Sequence, residues 1–133
     1  QDKNGHDHVA ANRRSLADEL IRLKAALGST PLYLAASHTY RGEDRARIGA
    51  LAAIAQRCGT PLVAANEVLY HAPHRRNLQD VLTCVREHTT IAQAGFRLQA
   101  NAERHLKRPS EMARLFKGYE AALLRTLEIA NAC

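Results

Sequence analysis

Tryptophan is absent, and two Phe with four Tyr bring aromatic residues to only 5% of the 133 residues. A core of stacked rings is excluded, so Leu, Ile, Val and many Ala must fill it, and small Ala side chains favour close helix packing. No apolar run approaches the roughly 18 residues that span a bilayer. The first thirty residues carry interspersed charges and lack the basic, apolar and small-residue regions of a secretory leader. Membrane insertion and secretion are therefore not expected. Cysteine is scarce. Cys58, Cys84 and Cys133 form no CxxC pair, and an odd, irregular set reads as reduced thiols of a cytoplasmic protein rather than a disulfide framework. Nucleophile and phosphate-cradling signatures are missing as well: there is no GxSxG and no GxxxxGK[ST].

Hydrophobic residues at 46% and charged residues at 24% match one folded globular domain. Nineteen Lys plus Arg against 13 Asp plus Glu give a net charge of +6. The excess leans toward the second half, and no five consecutive basic residues occur. Such a balance permits a polyanionic partner, although a mildly basic solvated surface accounts for it equally well.

Residues 1–14 begin with QDKNGHDH and offer little apolar anchorage, which predicts a flexible N-terminal segment. From Ser15, a cap candidate, Leu16, Leu20, Leu23 and Leu27 recur with helical spacing up to Gly28. LYLAAS (32–37) and PLVAA (61–65) have strand length, and between them Ile48, Leu51, Ala52 and Ala55 mark a helix opened by Glu43 and Asp44 and closed by Gly59. Strand, helix, strand in so short a span predicts a parallel βαβ unit, so 15–72 reads as αβαβ.

Residues 73–133 read as helical. Leu78, Val81, Leu82 and Val85 share one face of a helix over 73–87, which predicts their burial against the sheet and the last helix. A turn at 91–94, a break at Gly95 and the polar stretch 101–109 follow. Helices over 109–117 and 120–132 close the chain, the latter with Leu123, Leu124, Leu127 and Ala130 inward. Two parallel strands do not make a self-sufficient sheet. The predicted class is helix-rich α/β, part of a larger α/β domain.

Functional groups of parallel α/β folds gather beyond the carboxyl ends of strands. Here those positions are Ser37–His38–Thr39 and Asn66–Glu67–Val68–Leu69–Tyr70–His71. Glu67 is the best single acid or ligand candidate, yet a catalytic zinc takes about three protein ligands. The His6–Asp7–His8 triplet lies in the polar N-terminal segment, and His71, His74, His88 and His105 read as isolated surface histidines. Arg75, Arg76, Arg104, Lys107 and Arg108 form the densest basic group, a solvated face or a phosphate or partner contact.

PLVAANEVLYH, RRNLQDVLTCVREHTTIAQAG, NAERHLKRPSEMARLF and TLEIANAC, in that order, resemble the C-terminal part of the PHP domain of bacterial DNA polymerase III alpha subunits, above all the error-prone alpha subunit. The resemblance is carried by 61–133, extends into 31–60 and does not include 1–14. It implies a fragment of a distorted β/α barrel, a short βαβ unit followed by a helical half leading toward the polymerase palm. The parent it implies transfers nucleotides from dNTPs to DNA with Mg, in replication and damage-induced translesion repair, and its catalytic residues lie outside this chain. For the fragment it implies no catalytic residue and no cofactor, with the remainder of the alpha chain as partner. The family segment usually reads N-D-V-H-Y, its Asp and His binding metal; Glu67 and Leu69 stand there here, which implies a degenerate metal position. A metal-dependent phosphoesterase of PHP type and a small DNA-binding module are the alternatives.

Overall fold

Leu16 through Leu27 contain no Pro or Gly to interrupt a helix, and 16–27 form α1. The computed structural model describes residues 16–133. The segment 1–14, its His6 and His8, and the Ser15 cap lie outside the described residues. After α1 come β1 (Leu34–Ser37), α2 (Asp44–Cys58), β2 (Leu62–Ala65), a 3-10 turn at Pro73–Arg75 that runs into α3 (Arg76–Arg86), and the short α4 (Ile91–Ala94). A second 3-10 turn at Gly95–Arg97, α5 (Pro109–Leu115) and α6 (Glu120–Ala132) complete the chain.

The two strands pair in parallel, in register from Leu34 with Leu62 to Ser37 with Ala65, as the βαβ pattern predicts. α2 ends where Gly59 takes the left-handed conformation (φ 59°) and its N–H reaches back to the Ala55 and Gln56 carbonyls. Lys24 of α1 completes this cap, donating to the Gly59 carbonyl at 2.7 Å and the Cys58 carbonyl at 3.3 Å. A cation at the negative end of the helix ties α1 to α2.

The core lies between the sheet, α2 and the C-terminal helices. Ala36, Ile48, Ala55, Leu62, Ala64, Phe116 and Ala122 form it, with Phe116 fully enclosed. α6 lies on β2, and Arg125 donates to the Leu62 carbonyl at 2.8 Å. Leu20, Ile54 and Cys58 make a smaller cluster under α1.

The helical faces depart from the sequence expectation. Leu78, Val81, Leu82 and Val85 are exposed, whereas Thr83 and Cys84 are buried and Arg76 and Asp80 half-buried. The register is helical, but the helix is rotated: Arg76, paired with Asp80 on the same helix at 3.4 Å, bonds the Gln99 carbonyl at 2.7 Å, and this long-range bond turns the polar side inward. α3 packs on the Pro73–Arg75 turn and α4 rather than on the sheet or α6, so nothing among the described residues covers its apolar stripe. In α6, Ala122 is buried and Leu123 partly so, while Leu124, Leu127 and Ala130 face outward, because the small Ala122 allows the helix to approach β2 closely. In α1, Leu20 is buried and Leu23 and Leu27 are exposed.

Candidate functional site

Both strands of a parallel pair end on the same side of the sheet, so the segments after Ser37 and Ala65 meet there. A pocket of about 350 Å³ opens at this edge, lined chiefly by polar residues, among them His38, Arg47, Asn66, Glu67, Asn101 and Arg104. Three segments distant in sequence build it: the β1 exit, the β2 exit and the stretch around 99–104.

At the β1 exit the organising group is Asp44, the first residue of α2. Its Oδ1 accepts from the Thr39 N–H and hydroxyl, each at 2.9 Å, and its Oδ2 from the Tyr40 N–H at 2.7 Å. Partial burial opposes ionisation of this carboxyl, but the Thr39 and Tyr40 donors and the Arg47 guanidinium outweigh it and lower the pKa to about 2. Arg47 also donates to the Ser37 carbonyl. His38 Nε2 donates to the Leu115 carbonyl at 2.9 Å, and its ring meets Phe116 edge-on, centroids 5.2 Å apart. The first strand end is thereby tied to α5.

At the β2 exit Glu67 sits in the left-handed region at φ 48°, an uncommon conformation for a residue with a side chain. It is held there from two sides. Ser37 donates to its Oε1 at 2.8 Å. Arg104 donates to its backbone carbonyl at 2.9 Å and approaches Oε2 at 3.4 Å. Asn66 bonds the His105 carbonyl at 2.9 Å, and Tyr70 pairs with His105 in a parallel bridge. The polar stretch 101–109 is therefore stitched along the β2 exit.

The basic residues singled out by sequence have separate roles. Arg76 pairs with Asp80, Arg104 with Glu67, and Lys107 with Glu103 at 3.5 Å with its side chain only 2% exposed. The Lys107 ammonium also lies over the Tyr40 ring, 5.1 Å from its centroid. Arg75 and Arg108 are exposed. His71 and His74 sit edge to face at 6.0 Å, His105 bonds the Ala102 carbonyl, and His88 is exposed. Sequence reasoning read Asp44 only as a helix opener and did not single out Arg47 or Asn101. The one available signal was an acidic residue at a helix start just after a strand.

The error-prone DNA polymerase of Caulobacter vibrioides is 56% identical to this chain over 99 residues, 74% of the chain and 9% of that protein. The chain is similar to a segment of error-prone DNA polymerases. The enzyme of Bradyrhizobium sp. is 50% identical over 117 residues, covering 86% of the chain and 10% of that polymerase. Error-prone DNA polymerase 1 of Agrobacterium fabrum is 48% identical over 123 residues, covering 89% and 11%. The chain thus spans about a tenth of the length of these polymerases. No family model matches it. No helix among the described residues is long and apolar enough to cross a membrane.

The donor set at the β2 exit does not fit a metal cluster. One Glu67 oxygen is taken by Ser37 and the other faces a guanidinium. Leu69 carries no lone pair, and among the described residues no three His, Cys, Asp or Glu side chains gather at one place.

Proposed function

We propose that the chain is a segment of a cytoplasmic error-prone DNA polymerase alpha subunit, from the C-terminal part of its PHP domain, and acts there as a structural element. The parent transfers nucleotides from dNTPs to a DNA primer with Mg during replication and damage-induced repair; this segment contributes no catalytic residue. In this reading 15–72 is the barrel part and 73–133 the helical part leading toward the palm. The 56% identity over 99 residues to the Caulobacter vibrioides polymerase carries the proposal. What supports a structural role is the occupation of the strand-end pocket by its own groups: Asp44 by backbone donors and Arg47, Glu67 by Ser37 and Arg104.

Primer extension tests this reading. The full polypeptide that contains these residues should extend a primer on a template, and the 133-residue chain should not; synthesis by the short chain would overturn the structural role. A phosphoesterase needs a metal cluster to activate water, and the engagement of Glu67 weighs against one. Arg75 and Arg108, exposed at the surface, are the basic residues best placed for phosphate or partner contact. DNA affinity of the full polypeptide should fall with salt by about one unit less in slope after Arg108→Ala if that residue meets a phosphate.

A further inference from the structure

We propose that the outward apolar stripe of α3 is a docking face for an apolar helical segment of the same polymerase polypeptide from outside these 133 residues, with a carboxylate opposite Arg75. The proposal rests on the reading given under Proposed function and names the surface through which the segment would join its parent.

Leu78, Val81, Leu82 and Val85 repeat with the spacing that marks a buried helix face, and they are 53%, 44%, 54% and 67% exposed. The helix cannot be rotated to hide them without breaking the Arg76 bond to the Gln99 carbonyl and exposing Thr83 and Cys84. Beside the start of the stripe a pocket of about 240 Å³ is lined by Leu69, Tyr70, Arg75, Leu78 and Leu82 among others. Its volume would admit one anchoring side chain of an incoming helix laid along the stripe. Arg75 stands at the rim, and no carboxylate lies within 4 Å of it among the described residues.

The occupant follows from size. From Leu78 to Val85 the stripe runs only about 10 Å along the helix. A stable complex between separate chains buries roughly 800 Å² on each partner, far more than this stripe presents. A segment tethered in the same polypeptide docks at an effective concentration in the millimolar range and needs no such area. This chain matches only about a tenth of the length of the related polymerases, which leaves ample polypeptide to supply it. Nucleic acid is disfavoured because the stripe offers aliphatic side chains in place of phosphate donors.

Hydroxyl-radical footprinting of the intact polymerase, read by mass spectrometry on the peptide between Arg76 and Arg86, measures the cover directly. Leu78 and Leu82 should be oxidised at about a tenth or less of their rate in denaturant, as for the desolvated centre of an interface. Rates near half the unfolded ones, matching the exposure seen here, would overturn the proposal. Protection lost on tenfold dilution would assign the face to a second copy and overturn it too. Arg75→Glu should raise oxidation of Leu78 and Leu82 several-fold, with Arg75→Lys close to the parent. The same preparation is assayed for primer extension: activity with an unprotected stripe defeats the docking face alone, whereas absence of activity defeats the polymerase reading and with it the occupant.

Discussion

Arg104 holds Glu67 at two points, donating to its backbone carbonyl at 2.9 Å and lying 3.4 Å from its carboxylate. One side chain thus engages both the backbone and the carboxylate of Glu67, two residues beyond β2. With Ser37 on the other carboxylate oxygen, the two strand ends and the 101–106 stretch become one assembly.

This arrangement predicts that Arg104→Ala destabilises more than Glu67→Gln. The arginine loses a charge-assisted bond to a carbonyl, worth roughly 1.5 to 3 kcal/mol, and the half-exposed ion pair adds less than about 1 kcal/mol. Glu67→Gln keeps the carbonyl bond and should cost under about 1 kcal/mol. Urea unfolding of both variants checks the order, and equal losses would show that the carbonyl contact contributes nothing.

Acid should loosen the β1 exit. The Asp44 carboxyl titrates at about 2 in the folded chain against 3.8 ordinarily, so the folded state favours its ionised form. That stability is present above about pH 4 and is lost as pH falls through about 2. It amounts to roughly 1 to 2 kcal/mol once solvent screening is allowed for. Asp44→Asn should remove this part of the acid dependence, measured by unfolding at pH 5, 4, 3 and 2; an unchanged profile would assign it to other carboxylates.

Phe116→Ala should be among the most damaging single changes, about 3 to 5 kcal/mol, because Phe116 is fully enclosed in the core and its truncation removes a large buried ring. Thermal or chemical denaturation reads it. By contrast, Leu82→Ala in the 133-residue chain should cost less than about 1 kcal/mol, since Leu82 is 54% exposed there. A loss of 2 kcal/mol or more at Leu82 would mean that the stripe is covered within this chain.

Gly59→Ala forces a Cβ into the left-handed position and places it 2.8 Å from Lys24 Nζ. The lysine tip can move aside, so the backbone conformation sets most of the cost, about 1 to 2 kcal/mol. Lys24→Met should weaken the same cap by less, and the double variant should fall short of the sum because both changes loosen one contact. Full additivity in denaturant unfolding would separate the two.

The local signals of the sequence were enough for the succession of strands and helices. Gly59 ends α2, PLVAA makes a parallel partner for LYLAAS, and Pro109 opens α5, because each depends on backbone conformation or periodicity within a few residues. Glu67 and the β2 exit were also legible, since parallel strands place their ends together whatever else the chain does. Which face each helix turns inward was decided only in three dimensions. Periodicity names an apolar stripe but not its cover, and in α3 the long-range bond from Arg76 to Gln99 turns that stripe outward. Asp44, Arg47 and Arg104 likewise acquired their roles from partners brought together by folding: Asp44 meets the backbone of the strand-end loop, Arg47 the Ser37 carbonyl, and Arg104 a glutamate 37 residues away. Such contacts depend on the path of the chain, and no spacing in the sequence records them.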